Sequence, residues 1–357
     1  MSTGFFPLRV VAVATETADA VTLTLAPDPA HAAEFHFTPG QHLTLRAEIG
    51  GEDVRRNYSL FTAPDTGRLS VAVKKVAGGL FSNWATALKP GDVIESMGPR
   101  GHFTWSFDPA ARRNYLLLAG GSGITPVLSI LAAGLAAEPG SQFTLLYGNR
   151  SATSIMFLED LAALKDRHLA RLQIYHFLSA EADDVELFNG RLDEARIAHL
   201  LETLIDPRQV DAAFICGPGA MMETAEQALV AAGVDPDHVL VERFTTGRES
   251  GPDEATRRAA SEQARGRQVT VRLEGRRRAV PFDAESGNIL DSARAAGLPA
   301  PFACKAGVCA TCRAKLVSGQ VRMLANYGLS KEEVAQGYIL TCQAVPDTDD
   351  VSVDYDA

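Results

Sequence analysis

The sequence predicts a chain of three modules: an antiparallel β-barrel, a doubly wound parallel α/β sheet and a small α+β unit. Three observations carry that expectation. Residues 8–17, 20–26, 42–49, 54–60 and 69–76 are short, β-branched runs separated by Gly, Pro or Asp. From Tyr115 onward, apolar runs alternate with helix-period stretches, the rhythm of parallel strands joined through helices. Between residues 245 and 267 large apolar residues nearly vanish, and a shorter module follows.

Each module takes its bounds from these patterns. Residues 1–110 hold the short strands, which suit a small barrel. Residues 111–245 hold expected strands at 115–119, 143–147, 172–178, 212–216 and 239–244, with helices at 126–137, 155–165, 192–204 and 220–232. Residues 246–267 read as a linker: rich in Arg, Glu, Ala, Ser and Gly, they bury too little surface to order themselves. Residues 268–357 begin with an expected hairpin (269–273 and 278–282), then a helix at 289–296, and end with a strand at 351–355. A length of 357 residues suits two or three domains.

Composition excludes several function classes. A net charge of −10 argues against nucleic acid as a partner. Five cysteines leave one without a mate however they pair, which points to a reducing compartment and a cytoplasmic location. The first residues lack a charged stretch followed by a long apolar one, so no signal peptide is expected. Residues 115–137 carry no charge and are long enough to span a bilayer. Gly120, Gly121, Gly123 and Pro126 in their middle fit a strand, a tight turn and a helix instead, so no membrane contact is expected. The eight histidines show no metal spacing and read as surface or core residues.

Cys304, Cys309, Cys312 and the distant Cys342 fall as C-x4-C-x2-C…C. This is the plant-type spacing that holds a [2Fe–2S] cluster by four thiolates. Structural zinc is the alternative four-cysteine reading, but it usually pairs two short C-x2-C knuckles. Small residues between the ligands let backbone N–H groups approach the sulfurs.

Two further groups of residues suit phosphates and aromatic rings. At the end of a barrel strand, Arg56 offers a rigid donor fork for a diphosphate. Tyr58 can lie on an aromatic ring, and Ser59 can hydrogen-bond a ring nitrogen. Val73 and Lys74 follow on another strand, and Gly79, Leu80, Phe81 and Ser82 open an expected helix whose free N–H groups favour phosphate. In the second module, Gly121, Ser122, Gly123 and Thr125 lie between a strand and a helix, where close backbone approach to a diphosphate is possible. The pattern is neither G-x-G-x-x-G nor a Walker A loop. Cys216, Gly217 and Pro218 end another strand, as do Glu242 and Phe244, on the side where open sheets bind ligands. A buried inert cysteine and a core phenylalanine are the plainer readings of Cys216 and Phe244.

Taken in order, these motifs resemble the ferredoxin–NADP reductase family. The carriers are Arg55-Arg56-Asn57-Tyr58-Ser59, Tyr147-Gly148-Asn149-Arg150, Ala213 to Pro218 and the final Val353-Asp354-Tyr355-Asp356-Ala357. The C-terminal cysteine motif narrows the resemblance to oxygenase reductases with a plant-type, β-grasp ferredoxin domain. The resemblance implies FAD held by Arg56, Asn57, Tyr58 and Ser59, with Ser59 near the flavin N5. Val73, Lys74 and residues 79–82 would touch its ribityl and phosphates. Gly121, Ser122, Gly123, Thr125, Arg150, Ser179, Cys216, Gly217 and Pro218 would hold the nucleotide, and Glu242 and Phe244 would sit against the flavin ring. Ser59, Cys216, Glu242 and Phe244 are the implied catalytic set. NADPH is the implied donor, with NADH as the alternative and FMN as the alternative flavin. NADP-specific relatives often carry Ser-Arg after the third strand of this sheet, whereas here Ser179 is followed by Ala180, leaving Arg150 or Arg191 as substitutes. The implied partner is a di-iron oxygenase component of a multicomponent complex.

Overall fold

The computed structural model describes residues 4–182, 185–244 and 253–357. In the barrel module, period-2 alternation sends Leu8, Val10, Leu23, Leu43, Leu45, Val71 and Ile94 into one core. Six antiparallel strands carry them, in the order Glu52–Ser59, His42–Ile49, Val93–Ser96, Phe6–Thr17, Ala20–Pro27, Leu69–Lys74. The two outer strands meet where Leu60 pairs with Val71 and Phe61 N donates to Ser70 O at 3.2 Å, which closes the barrel. The five expected strands are present. The sixth, Val93–Ser96, is four residues long, too short for a periodic signal. The expected helix after Gly79 runs Leu80–Ala85.

The second module is a five-stranded parallel sheet in the order Val239–Glu242, Ala212–Cys216, Asn114–Gly120, Gln142–Asn149, Leu172–Leu178. The chain order reverses beside Asn114–Gly120, which opens a crevice at the carboxyl ends of the strands. Helices Ile124–Ala137, Leu158–Arg167, Glu194–Thr203 and Gly219–Ala231 cover the faces. The uncharged stretch is a strand, a turn and a 14-residue helix, as expected. Among the described residues no helix is long and apolar enough to cross a membrane. Leu158–Arg167 starts later than the expected 155 because Phe157 takes a left-handed φ of 60°. Its N–H donates to Glu16 of the barrel, tying the two modules together.

The third module is a mixed sheet in the order Arg276–Pro281, Gln268–Leu273, Val351–Asp354, Arg313–Ser318, Tyr338–Leu340. Only the pair Gln268–Leu273 and Val351–Asp354 is parallel. Helix Ile289–Ala295 buries Ile289, Leu290 and Ala293 in the same core, a β-grasp arrangement. The expected hairpin, helix and closing strand are found.

The linker expectation fails in its second half. Residues 245–252 lie outside the described residues, but Glu254–Gln263 is a helix. Asp253 caps it by accepting from Thr256 N at 2.7 Å. Ala260 and Ala264, one turn apart, are buried in the third module's core, and Ser261 donates to Ala284 O. Alanines pack closely without the large apolar residues that would have marked the stretch as ordered.

The turn after Asn114–Gly120 shows why glycine is required there. A Cβ on Gly123 would lie 2.1 Å from Cys216 O, so the crevice exists only because two backbones meet. Gly123→Ala is expected to lose roughly 1–3 kcal/mol from this overpacking, read as a lower midpoint in urea unfolding; an unchanged midpoint contradicts it.

Candidate functional site: a cleft shared by three modules

A cleft of about 940 Å³ opens where the modules meet. The barrel contributes Arg56, Asn57, Tyr58, Ser59 and Lys74, and the parallel sheet Ser122, Thr125, Glu242 and Phe244. Cys304, Lys305, Ala306 and Val308 of the third module form another wall.

On the barrel side, Tyr58 packs against Phe81 with ring centroids 5.7 Å apart, and burial pushes its hydroxyl up, so it stays protonated. Arg56 is exposed on the cleft and donates to Arg55 O at 2.7 Å. Lys74 Nζ lies 3.5 Å from Asp19. Leu80 is 52% exposed on the lip, an apolar surface without a protein neighbour to cover it. The Ser82 hydroxyl accepts from Val76 N at 3.1 Å, so it closes the turn around Gly79. Val73 is the one barrel residue of the expected set that does not line the cleft. Its side chain lies in the barrel core, while Ala72 and Lys74 face the cleft.

Ser59 Oγ and both ring nitrogens of His42 are buried without a hydrogen-bond partner. Such groups are rare and mark a place where a polar ligand is expected. His42 pairs directly with Ser59 across the antiparallel strands, and its Nδ1 lies 3.6 Å from Glu242 Oε1. Glu242 in turn neighbours Cys216 across parallel strands. Burial, and after it the Glu242 carboxylate, push the Cys216 thiol well up. Cys216 is therefore a packed, protonated thiol at the crevice floor, not a nucleophile.

Gly121 and Gly123 form the expected turn, and Thr125 Oγ1 donates to Ser122 O at 3.1 Å. A Cβ on Gly217 would lie 2.5 Å from Met221 Cε, and one on Gly120 would lie 2.5 Å from Pro218 Cδ. Glycine is required at both positions because the Met221 and Pro218 side chains pack directly on the backbone. Arg150 and Ser179, both exposed, follow neighbouring strands at their carboxyl ends. Ser179 N donates to Asn149 O at 3.0 Å.

The four cysteines of the third module stand two and two. Cys304 contacts Cys309, and Cys312 contacts Cys342. Among the described residues no three His, Cys, Asp or Glu side chains converge on one point as a single ion needs. Two thiols for each of two irons fit a [2Fe–2S] cluster better than one zinc. Backbone N–H groups of Cys304, Ala306 and Cys309 reach sulfurs at 3.3–3.4 Å. Left-handed Lys305, Gly307 and Ala310 turn them inward. A hydrogen bond from the Cys304 thiol holds Cys309 well below the usual thiol range despite burial, and Thr311 adds to this. Such donors also favour thiolate ligation of a metal.

Sequence reasoning missed three contributors. His42 carries no motif, and its partners are a strand away and a module away. Lys305 lies between two ligands and belongs to no binding motif, yet it lines the cleft and pairs with Asp291 at 2.6 Å. Arg257 of the supposed linker also borders the cleft.

Three family models match the chain in succession. The oxidoreductase FAD-binding domain covers residues 7–105, the oxidoreductase NAD-binding domain 117–227 and the 2Fe-2S iron-sulfur cluster binding domain 271–347. They define the class: an oxidoreductase with flavin, nicotinamide nucleotide and 2Fe-2S domains in one chain. The E component of 1,2-phenylacetyl-CoA epoxidase from Escherichia coli (strain K12) is 47% identical over 359 residues, covering 99% of each chain. The ferredoxin reductase component of 3-ketosteroid-9-alpha-monooxygenase from Mycobacterium tuberculosis is 36% identical, covering 98% of this chain and 95% of its own. Phthalate dioxygenase reductase, described as a modular structure for electron transfer from pyridine nucleotides to [2Fe-2S], superposes with a TM-score of 0.58 at 25% identity, covering 98% of both chains. The chain belongs to this family of oxygenase reductase components.

Cys342→Ser is expected to lower the iron and sulfide content of the purified protein severely while leaving FAD bound, since the flavin wall of the cleft is unaltered. Full iron content in the variant would contradict the ligand assignment.

Proposed function

We propose that the chain takes a hydride from NADPH and delivers single electrons to a di-iron oxygenase of the phenylacetyl-CoA epoxidase kind, in the cytoplasm. The carrying observation is the shared cleft: Tyr58 and Ser59, Ser122 and Thr125, and Cys304 line one cavity. The identity of the oxygenase rests on the 47% likeness over the full length. A reducing compartment is supported by five free cysteines.

Bound FAD supplies the change from hydride transfer to single-electron transfer, and the cluster supplies the one-electron exit. The chain's own residues do the rest. Arg56 and Lys74 would anchor the flavin's phosphates as paired cations. Tyr58 and Leu80 would give the ring system an apolar bed. Glycines 121 and 123 would admit the nucleotide diphosphate, and Phe244 would lie against the ring until nicotinamide replaces it. Cys216, protonated and packed, would fill the floor without competing for charge.

A hydride brings one proton for every two electrons, and that proton must leave when both electrons go. Ser59 Oγ and His42 are the buried groups without partners on that side. His42 would take the proton at one ring nitrogen and release it from Nδ1 towards Glu242 Oε1. Glu242, 13% exposed, lines the cleft and reaches its surface.

Arg150 and Ser179 support NADPH as donor. They stand at the carboxyl ends of neighbouring strands, where a 2′-phosphate would lie. Arg150→Ala is expected to raise the KM for NADPH roughly tenfold, the order of one lost charged hydrogen bond, and to leave NADH unaffected. Equal effects on both donors would point to NADH as the natural one.

The direct test is anaerobic titration of the purified protein with NADPH, followed by absorbance. Flavin and cluster bands should both bleach, and addition of the phenylacetyl-CoA epoxidase oxygenase component with substrate and oxygen should restore them as product forms. Bleaching without reoxidation by that component, but with it by another oxygenase, would move the protein to a different partner.

A further inference from the structure

We propose that Arg55 is the positioning residue that seats the ferredoxin module against the flavin cleft. The inference rests on the electron-transfer reading above and gives a role to a residue that reading leaves unused.

Strand Glu52–Ser59 divides its side chains between two jobs. Val54 and Tyr58 belong to the barrel core, with Arg56 on the same side by alternation. Asp53, Arg55 and Asn57 point the other way. Cross-strand register adds Arg46 beside Arg55 and Thr44 beside Asn57. The third module rests on this second face. Thr44 Oγ1 lies 3.4 Å from the hydroxyl of Thr311, which sits between Cys309 and Cys312. Arg55 Nη1 donates to Phe302 O at 3.1 Å, two residues ahead of Cys304. Its guanidinium carbon is 4.3 Å from the centroid of the Phe302 ring.

Arg55 is built for this contact. Its side chain is 8% exposed, and Asp53 grips it bidentately at 2.9 and 2.6 Å. That grip fixes the fork and neutralises the buried charge. From its own module, Phe302 receives Arg294 at 4.2 Å and Lys305 at 5.0 Å. Arg294 also donates to Ala300 O at 3.0 Å. The segment entering the cluster loop is thus held from both modules through one aromatic ring. Cation–ring attraction grows as water is excluded. Two ion pairs across the interface are weaker candidates. His102–Glu333 and Lys331–Asp237 have cations 51% and 83% exposed, where screening leaves little.

The seat must also be left. One hydride supplies two electrons, and the cluster accepts one at a time. The first electron therefore has to pass on to the external acceptor before the second can enter. With the module seated, Thr311 is 2% exposed, so the barrel covers this side of the cluster loop. Arg55 itself holds the loop by one hydrogen bond and a ring face, a contact that defines the position without locking it.

The test uses full-length protein carrying FAD and cluster, mixed with excess NADPH in a stopped-flow instrument. In Arg55→Ala, flavin reduction should stay within about twofold of wild type while cluster reduction slows about tenfold or more. Arg55→Lys, which keeps the charge and loses the fork, should fall between. Hydrogen exchange of residues 300–312 should quicken in the alanine variant with iron and FAD content unchanged. Wild-type cluster reduction with unchanged exchange would overturn the proposal. Loss of FAD or iron would overturn it too, since Arg55 would then be a structural residue of a cofactor site. Failure of wild-type protein to reduce its flavin with NADPH would strike the electron-transfer reading instead.

Discussion

One constraint organises the molecule: a β-strand sends neighbouring side chains to opposite faces. The hairpin of His42–Ile49 and Glu52–Ser59 has two faces and three neighbours. One face holds Tyr58 against Phe81 and presents Arg56 to the cleft. The other meets the ferredoxin module through Arg55 and Thr44, and His42 on that face reaches Glu242 of the nucleotide module. A slip of one residue in this register would exchange the two sets and lose both contacts.

Burial decides the chemistry of the groups around the cleft. Cys216 and Tyr58 are pushed towards their protonated forms because water is absent. His42 and Ser59 are as buried, yet their polar side-chain atoms have no hydrogen-bond partner. A fold tolerates such groups where a ligand completes them, and here they stand beside the residues expected at the flavin ring. Cys309 alone shows the opposite balance among the shifted cluster cysteines: hydrogen bonds from the Cys304 thiol and then Thr311 favour a thiolate that burial alone would disfavour, while Cys304 and Cys312 are pushed up.

How much of this was legible depended on how local each signal was. The cysteine spacing and the Arg-Asn-Tyr-Ser run are short and local; the whole run and the first of the cysteines, Cys304, line the cleft. The strand, turn and helix at 115–137 were readable because glycine and proline interrupt an apolar run. His42 was not readable, because its role comes from Ser59 across a strand and Glu242 in another module. Val73 was placed in the site by the family resemblance, and alternation sends its side chain into the core. The helix Glu254–Gln263 was hidden because Ala260 and Ala264 pack without an apolar stripe. Arg55 was visible as part of a motif, and alternation turns it away from Arg56, but only the structure shows that it meets Phe302 of the third module there.

The central claim is that flavin and cluster exchange electrons inside one molecule, across a cleft that both modules line. The measurement that bears on it most directly is the rate of cluster reduction after a single equivalent of NADPH, followed over a hundredfold range of protein concentration. The account predicts a first-order rate that does not change with concentration. A rate that rises in proportion to concentration would mean that electrons pass between molecules, and would contradict it.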